Sequence, residues 1–231
     1  MKFGIVTFPG SNCDEDMAYA LGTLMEQPVE RLWHKEVDMK GVDVVVLPGG
    51  FSYGDYLRSG AIARFSPVMR AVAHHAANGG IVIGICNGFQ VLCEAGLLPG
   101  ALMHNEGQQF VCENVYIKAV TQRTKLTRSI PNKALKIPIA HGEGRYHADE
   151  ATLKGLKEND QILFKYCDSE GRTFDTANPN GSKENIAGIS NKERNVFVMM
   201  PHPERAMDPR LGNTDGRFLF DSLLKDVLVR S

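Results

Sequence analysis

Short apolar, β-branched runs separated by helical patterns constrain this chain more than any other feature. Lys2–Phe8, Val29–Trp33, Val42–Leu47, Ile81–Ile85 and Asn195–Met200 read as strands, and VDVVVL is apolar enough to be buried on both faces. Helical patterns lie between them. Ser11 or Asn12 caps the first, with Asp14, Glu15 and Asp16 in its opening turn and Met17, Leu21, Leu24 and Met25 facing inward. Ser66 and Pro67 open a second over Val68–Ala77, which Gly79-Gly80 ends, and Gly88–Ala95 forms a third. Strands alternating with helices predict an α/β fold with a doubly wound, mostly parallel sheet flanked by helices. At 231 residues and 43% hydrophobic content, the expectation is one domain over residues 1–231.

From about Gln109 to Ser190 the character changes. FVCENVYIKAV, ALKIPIA, QILFKYC and NIAGIS suggest strands, and Asn178-Pro179-Asn180-Gly181 is a turn, so the second half carries a β-rich excursion on the same domain. Asp215–Val229, capped by Thr214, closes the chain as an amphipathic helix.

Charge and cysteine usage narrow the function classes. With 26 Lys+Arg against 27 Asp+Glu, no field of one sign gathers nucleic acid or an anionic membrane, so neither is an expected partner. The opening segment lacks the long apolar stretch of a signal peptide, and no window approaches a membrane span. Five cysteines, an odd set without C-x-x-C pairs, read as reduced thiols in the cytoplasm. There is no G-x-x-x-x-G-K-[ST], Gly142-Glu143-Gly144 is followed by His147 where a dinucleotide fingerprint has glycine or alanine, and no metal-ligand set has convincing spacing.

The sharpest local signal is Gly84-Ile85-Cys86-Asn87-Gly88, at the end of IVIGI and leading straight into the helical FQVLCEAG. It is the cysteine form of G-x-S-x-G, in which a strained strand-to-helix turn projects the nucleophile and the flanking glycines remove clashes. The helix N-terminus favours negative charge on the sulfur. A buried structural cysteine is the competing reading for Cys86, and it is the one adopted for Cys13, Cys93, Cys112 and Cys167, which lack this context.

A cysteine nucleophile needs a base, and a third group to orient that base. Among seven histidines only His202 follows an apolar strand with a carboxylate two residues on, Glu204. The proline after His202 disfavours helix there, so an extended segment would place Glu204 on the same side as the ring. His34, His104 and His147 receive no role, and His74 and His75 sit in a helical pattern. After VDVVVL, Pro48-Gly49-Gly50-Phe51 offers backbone N–H groups suited to an oxyanion hole, at the strand ends where open α/β sheets bind ligands. Gly50-Phe51-Ser52-Tyr53-Gly54 also matches G-x-S-x-G and makes a serine hydrolase the rival, although Pro48-Gly49 breaks the chain before it.

Together PGGFSYGD, GICNGFQ, PIAHGEGRY, NPNGS and PHPE make the chain resemble the class I glutamine amidotransferases, which are flavodoxin-like. Within them it is most similar to the small glutaminase subunits of phosphoribosylformylglycinamidine synthase. The resemblance implies that Cys86 attacks the side-chain amide of L-glutamine, that His202 protonates the leaving ammonia, and that Glu204 orients His202. It further implies that Gly50 and the Asn87 amide hold the oxyanion, that Gln90 contacts glutamine, and that the loop with His141, Gly142 and Glu143 lies against the substrate. No cofactor is implied in this chain. ATP and Mg are implied on a partner synthetase subunit, which converts formylglycinamide ribonucleotide to formylglycinamidine ribonucleotide, and a third small subunit belongs to the complex. Beside the serine hydrolase, a thiol-sensing binding protein on the same fold is the other alternative.

Overall fold

In the computed structural model, which describes residues 1–228, the strands Phe3–Thr7 (β1), Val29–Trp33 (β2), Val44–Leu47 (β3) and Ile81–Ile85 (β4) form where the apolar runs place them. Every residue of β3 and β4 is buried, as the absence of polar alternation requires. Later strands are Ala101–Met103 (β5), Val111–Ala119 (β6), Leu135–His141 (β7), Arg145–His147 (β8), Ile162–Cys167 (β9), Ile186–Ser190 (β10) and Val196–Met199 (β11). The α-helices are Asp14–Ala18 (α1), which continues as a π-helix over Tyr19–Leu24, Pro67–Ala77 (α2), Asn87–Glu94 (α3), Glu150–Glu158 (α4) and Arg217–Leu228 (α5). Val229, the expected last residue of the closing helix, lies outside the described residues.

Nine strands form one sheet in the order β2-β1-β3-β4-β11-β10-β9-β6-β7, while β5 and β8 pair as a separate ribbon. From β2 to β11 all pairings are parallel, as a doubly wound sheet demands. Beyond β11 all are antiparallel. The β-rich excursion therefore extends the sheet, and it curls. Although β7 is last in strand order, its Pro138 carbonyl accepts the N–H of His202 at 2.8 Å and its Ala140 carbonyl lies 3.8 Å from the Cys86 sulfur. The antiparallel half thus turns back over the carboxyl ends of β4 and β11. One cluster of buried apolar residues runs through both halves, from Val46 and Ile83 to Ile137 and Phe164.

Three local expectations are corrected. Cys13, not Ser11 or Asn12, is the N-cap of α1, because Ser11 is drawn back to accept the Phe8 N–H at 3.1 Å and to bridge Gly50. Ser66 caps α2 in extended conformation, but its hydroxyl pairs with Tyr53 at 2.8 Å rather than with the helix. A helix, α4, interrupts the β-rich region: Asp149 accepts the Thr152 N–H at 2.8 Å, and Leu153 and Leu156 face the core. Among the described residues no helix is long and apolar enough to cross a membrane.

Candidate active site

Cys86 has φ 50° and ψ −103°, a strained conformation for a side chain with a Cβ, at the junction of β4 and α3. Its flanking glycines explain how the strain is held. A Cβ on Gly84 would stand 2.6 Å from Leu92 Cδ1 and 2.9 Å from the Gly88 backbone, and one on Gly88 would stand 2.0 Å from the Leu47 carbonyl oxygen. Helix and sheet therefore meet backbone to backbone on either side of the sulfur. The Cys86 N–H donates to the Met199 carbonyl at 2.8 Å, which ties the elbow to β11 three residues before His202.

His202 and Glu204 are 1% and 4% exposed, and Nδ1 of the ring is 2.6 Å from Glu204 Oε1. The pairing expected from sequence forms, but not through an extended segment. Pro203–Arg205 is a 3-10 turn, and the proline that keeps His202 out of helix starts that turn. Burial works against a charged imidazole. The Glu204 carboxylate, followed by the sulfurs of Cys86 and Cys13, outweighs it and holds His202 well above its ordinary value. Among the described residues Nε2 has no hydrogen-bond partner, so it is available to exchange a proton.

Gly50 has φ 135°, a region that favours glycine, and a Cβ there would meet the Asn12 nitrogen at 2.9 Å. Asn87 opens α3, where the first N–H groups lack helical acceptors. Its side chain braces the neighbouring loop by accepting the Ser52 N–H at 3.1 Å and donating to Gln90 Oε1 at 2.9 Å. Ser52, the rival nucleophile, is buried in this brace and does not line the pocket.

In front of the sulfur is a pocket of about 150 Å³. Of the residues expected from sequence, Gly50, Cys86, Gln90, His141, Gly142 and Glu143 line it, while Asn87, His202 and Glu204 lie buried behind its wall. Gln90 Nε2 donates to the Glu143 carbonyl at 2.7 Å, so it also anchors the loop after β7. His141 is held neutral: burial, and then the charge of His202, bring it down to about 4. Its Nδ1 faces Asn105 Oδ1 at 3.2 Å and its Nε2 faces Asn180 Nδ2 at 3.5 Å, which fits the Nδ1–H tautomer.

Sequence reasoning missed several of these groups. Asp55 and Ser59 line the pocket; burial above all, helped by Glu143, raises Asp55 to about 6 against the opposing hydrogen bond from Ser59. Asp55 stands within the quoted PGGFSYGD segment, which is the signal that could have found it. Asn180, read only as part of a turn, holds the Gly144 carbonyl at 2.9 Å. His104, given no role, sits 3.7 Å from Glu143. Cys13, read as structural, lies beside His202. Among the described residues its sulfur, His202 and Glu204 are the one set of metal-type donors within 4.8 Å of one another, and the Arg205 guanidinium, 3.1 Å from that sulfur, already supplies a fixed positive charge.

The family model described as the CobB/CobQ-like glutamine amidotransferase domain matches residues 1–215, which puts the chain among the glutamine amidotransferases. The subunit PurQ of phosphoribosylformylglycinamidine synthase from Gloeobacter violaceus is 57% identical over 230 residues, covering 99% of both chains. That from Moorella thermoacetica is 56% identical, covering 97% of this chain and 95% of its own. A chain in the structure of PurLQS from Thermotoga maritima superposes with a TM-score of 0.85 at 36% identity, covering 98% of each. The chain belongs to the family of glutamine amidotransferases formed by these PurQ subunits.

Proposed function

We propose that the chain hydrolyses L-glutamine to glutamate and ammonia and hands the ammonia to an ATP-dependent synthetase subunit in the cytoplasm. The synthetase, with ATP and Mg, converts formylglycinamide ribonucleotide to formylglycinamidine ribonucleotide in purine biosynthesis. A third small subunit completes the complex. The observation that carries the reading is the hydrogen bond from Cys86 N–H to the Met199 carbonyl, which sets the strained nucleophile beside the strand that delivers the His202–Glu204 pair.

That geometry supports the following residue roles. The Cys86 sulfur attacks the amide carbon, and charge develops on the amide oxygen beside the Gly50 loop and the first N–H groups of α3. The C–N bond breaks as His202 Nε2 gives its proton to the departing ammonia, leaving a γ-glutamyl thioester. Water, deprotonated by the same nitrogen, then releases glutamate and restores the thiol. Glu204 fixes the ring through Nδ1 throughout. Asp55 and Glu143 give the pocket an acidic wall suited to the α-ammonium of glutamine.

The test is labelling by the glutamine analogue 6-diazo-5-oxo-norleucine in the complex with the synthetase, with the adduct mapped by mass spectrometry. An adduct on Cys86 is expected, together with loss of glutamine-dependent but not ammonia-dependent synthesis in Cys86→Ser. No adduct on Cys86, or equal loss of both activities, would contradict the reading.

A further inference from the structure

The loop Pro9–Cys13 between β1 and α1 has no part in the mechanism above, yet it meets the site twice. Gly50 packs on it so closely that a Cβ would stand 3.0 Å from Ser11 Cα. Gly49 is tighter still: a Cβ there would stand 2.6 Å from His202 Cε1 and 3.1 Å from Cys13 Sγ. The ring edge of His202 and the Cys13 sulfur therefore stand together against the Gly49 backbone, and that sulfur lies within 4.8 Å of the donor atoms of His202 and Glu204.

That sulfur is not placed as a packing atom. It is 3% exposed, but instead of an apolar surround it accepts from Arg205 Nη2 at 3.1 Å and donates to Asn12 Oδ1 at 3.2 Å. Arg205 is itself aimed by Asp16, with Nε on Oδ2 at 2.9 Å. The start of α1 is thus tied to the turn that carries Glu204. A metal ion is a poor occupant of the Cys13–His202–Glu204 group because the guanidinium already stands at the sulfur. A second nucleophile is excluded by position, since Cys13 does not line the pocket.

We infer that Cys13 is a positioning residue for glutamine hydrolysis: its sulfur, anchored by Arg205 and Asn12, fixes the His202 ring against Gly49 in the orientation that serves Cys86. An electron-rich sulfur beside the ring also favours the imidazolium that forms when Cys86 gives up its proton, in the same sense as Glu204. The inference rests on the glutaminase reading.

The experiment compares Cys13→Ala and Cys13→Ser with the unsubstituted chain in the complex with its synthetase. Cys13→Val, which fills the space without a polar atom, stands in if the alanine leaves α1 unanchored. Cys13→Ala is expected to lower glutamine-dependent kcat by about 10- to 100-fold with KM within about twofold, the size of loss that a misplaced catalytic group produces. Cys13→Ser, able to keep both hydrogen bonds, is expected to recover most of it. On a His202→Ala background the same substitution is expected to change the rate by less than about twofold, because residues acting through one another are not additive. An unchanged kcat in Cys13→Ala or Cys13→Val, or an equal further loss on the His202→Ala background, overturns the inference. Absence of the diazo-oxo-norleucine adduct on Cys86 in the unsubstituted chain overturns the glutaminase reading and this inference with it.

Discussion

The main-chain N–H of His202 donates to the carbonyl of Pro138 at 2.8 Å, so a residue three positions past β11 is tethered to β7, the last strand of the antiparallel half of the sheet. His202 is held from two sides. Its backbone hangs on β7 and its ring on Glu204, and the Cys86 sulfur lies 3.8 Å from the Ala140 carbonyl of the same strand.

Replacing Glu204 by Gln should separate geometry from charge. The amide can still reach Nδ1, but the anion that holds His202 well above its ordinary value is gone. Glutamine-dependent kcat should fall by about 10²- to 10⁴-fold with little change in KM. Because His202 then loses its proton at lower pH, the alkaline limb of kcat should move to lower pH. A pH profile of the complex checks both.

Gly88→Ala should destabilise the chain by about 3 kcal/mol or more, since its Cβ would stand 2.0 Å from a backbone oxygen that cannot move without bending β3. Gly155→Ala is the control. Within α4 it meets nothing within 4 Å, and alanine there should stabilise by about 0.5–1 kcal/mol. Urea unfolding of both variants tests the pair.

Protonation of His141 should weaken the fold on the acid side. Its native value is about 4, below the 6.5 of an unperturbed histidine, so the unfolded chain binds the proton first as pH falls. Stability from this group is complete above about pH 6.5 and is lost between there and pH 4, a change on the order of 3 kcal/mol. His141→Asn should flatten that part of the stability profile, read by denaturant unfolding at stepped pH.

Asp55 should govern affinity for glutamine. Its carboxyl, at about 6, is charged above that pH and neutral below it. KM for glutamine should therefore rise as pH drops through 6, with kcat less affected. Asp55→Asn should raise KM on the order of 10-fold, as for a lost hydrogen bond to a charged group, and remove the dependence. Steady-state kinetics between pH 5 and 8 would decide it.

How much of this was legible in the sequence depended on range. The parallel strands, the turn at Cys86 and the pairing of His202 with Glu204 were readable because each signal is local: a fully apolar run, two glycines around a cysteine, a carboxylate two residues after a histidine. The curl of β7 over the site was not, because it rests on contacts such as His202 to Pro138, between segments far apart in the chain. The polar surroundings of Cys13 were hidden for the same reason. Its partner Arg205 is 192 residues away, and nothing near Cys13 announces a guanidinium. Helix α4 was overlooked because only Leu153 and Leu156 mark its buried side, too few to set a period among charged neighbours.

Pro138 has a second consequence. It lies in β7, the strand that ends the sheet, where open main-chain groups would invite another molecule to add a strand. A proline offers no donor there, and its oxygen is engaged by His202. The bond that holds the His202 main chain therefore also blunts this margin against aggregation.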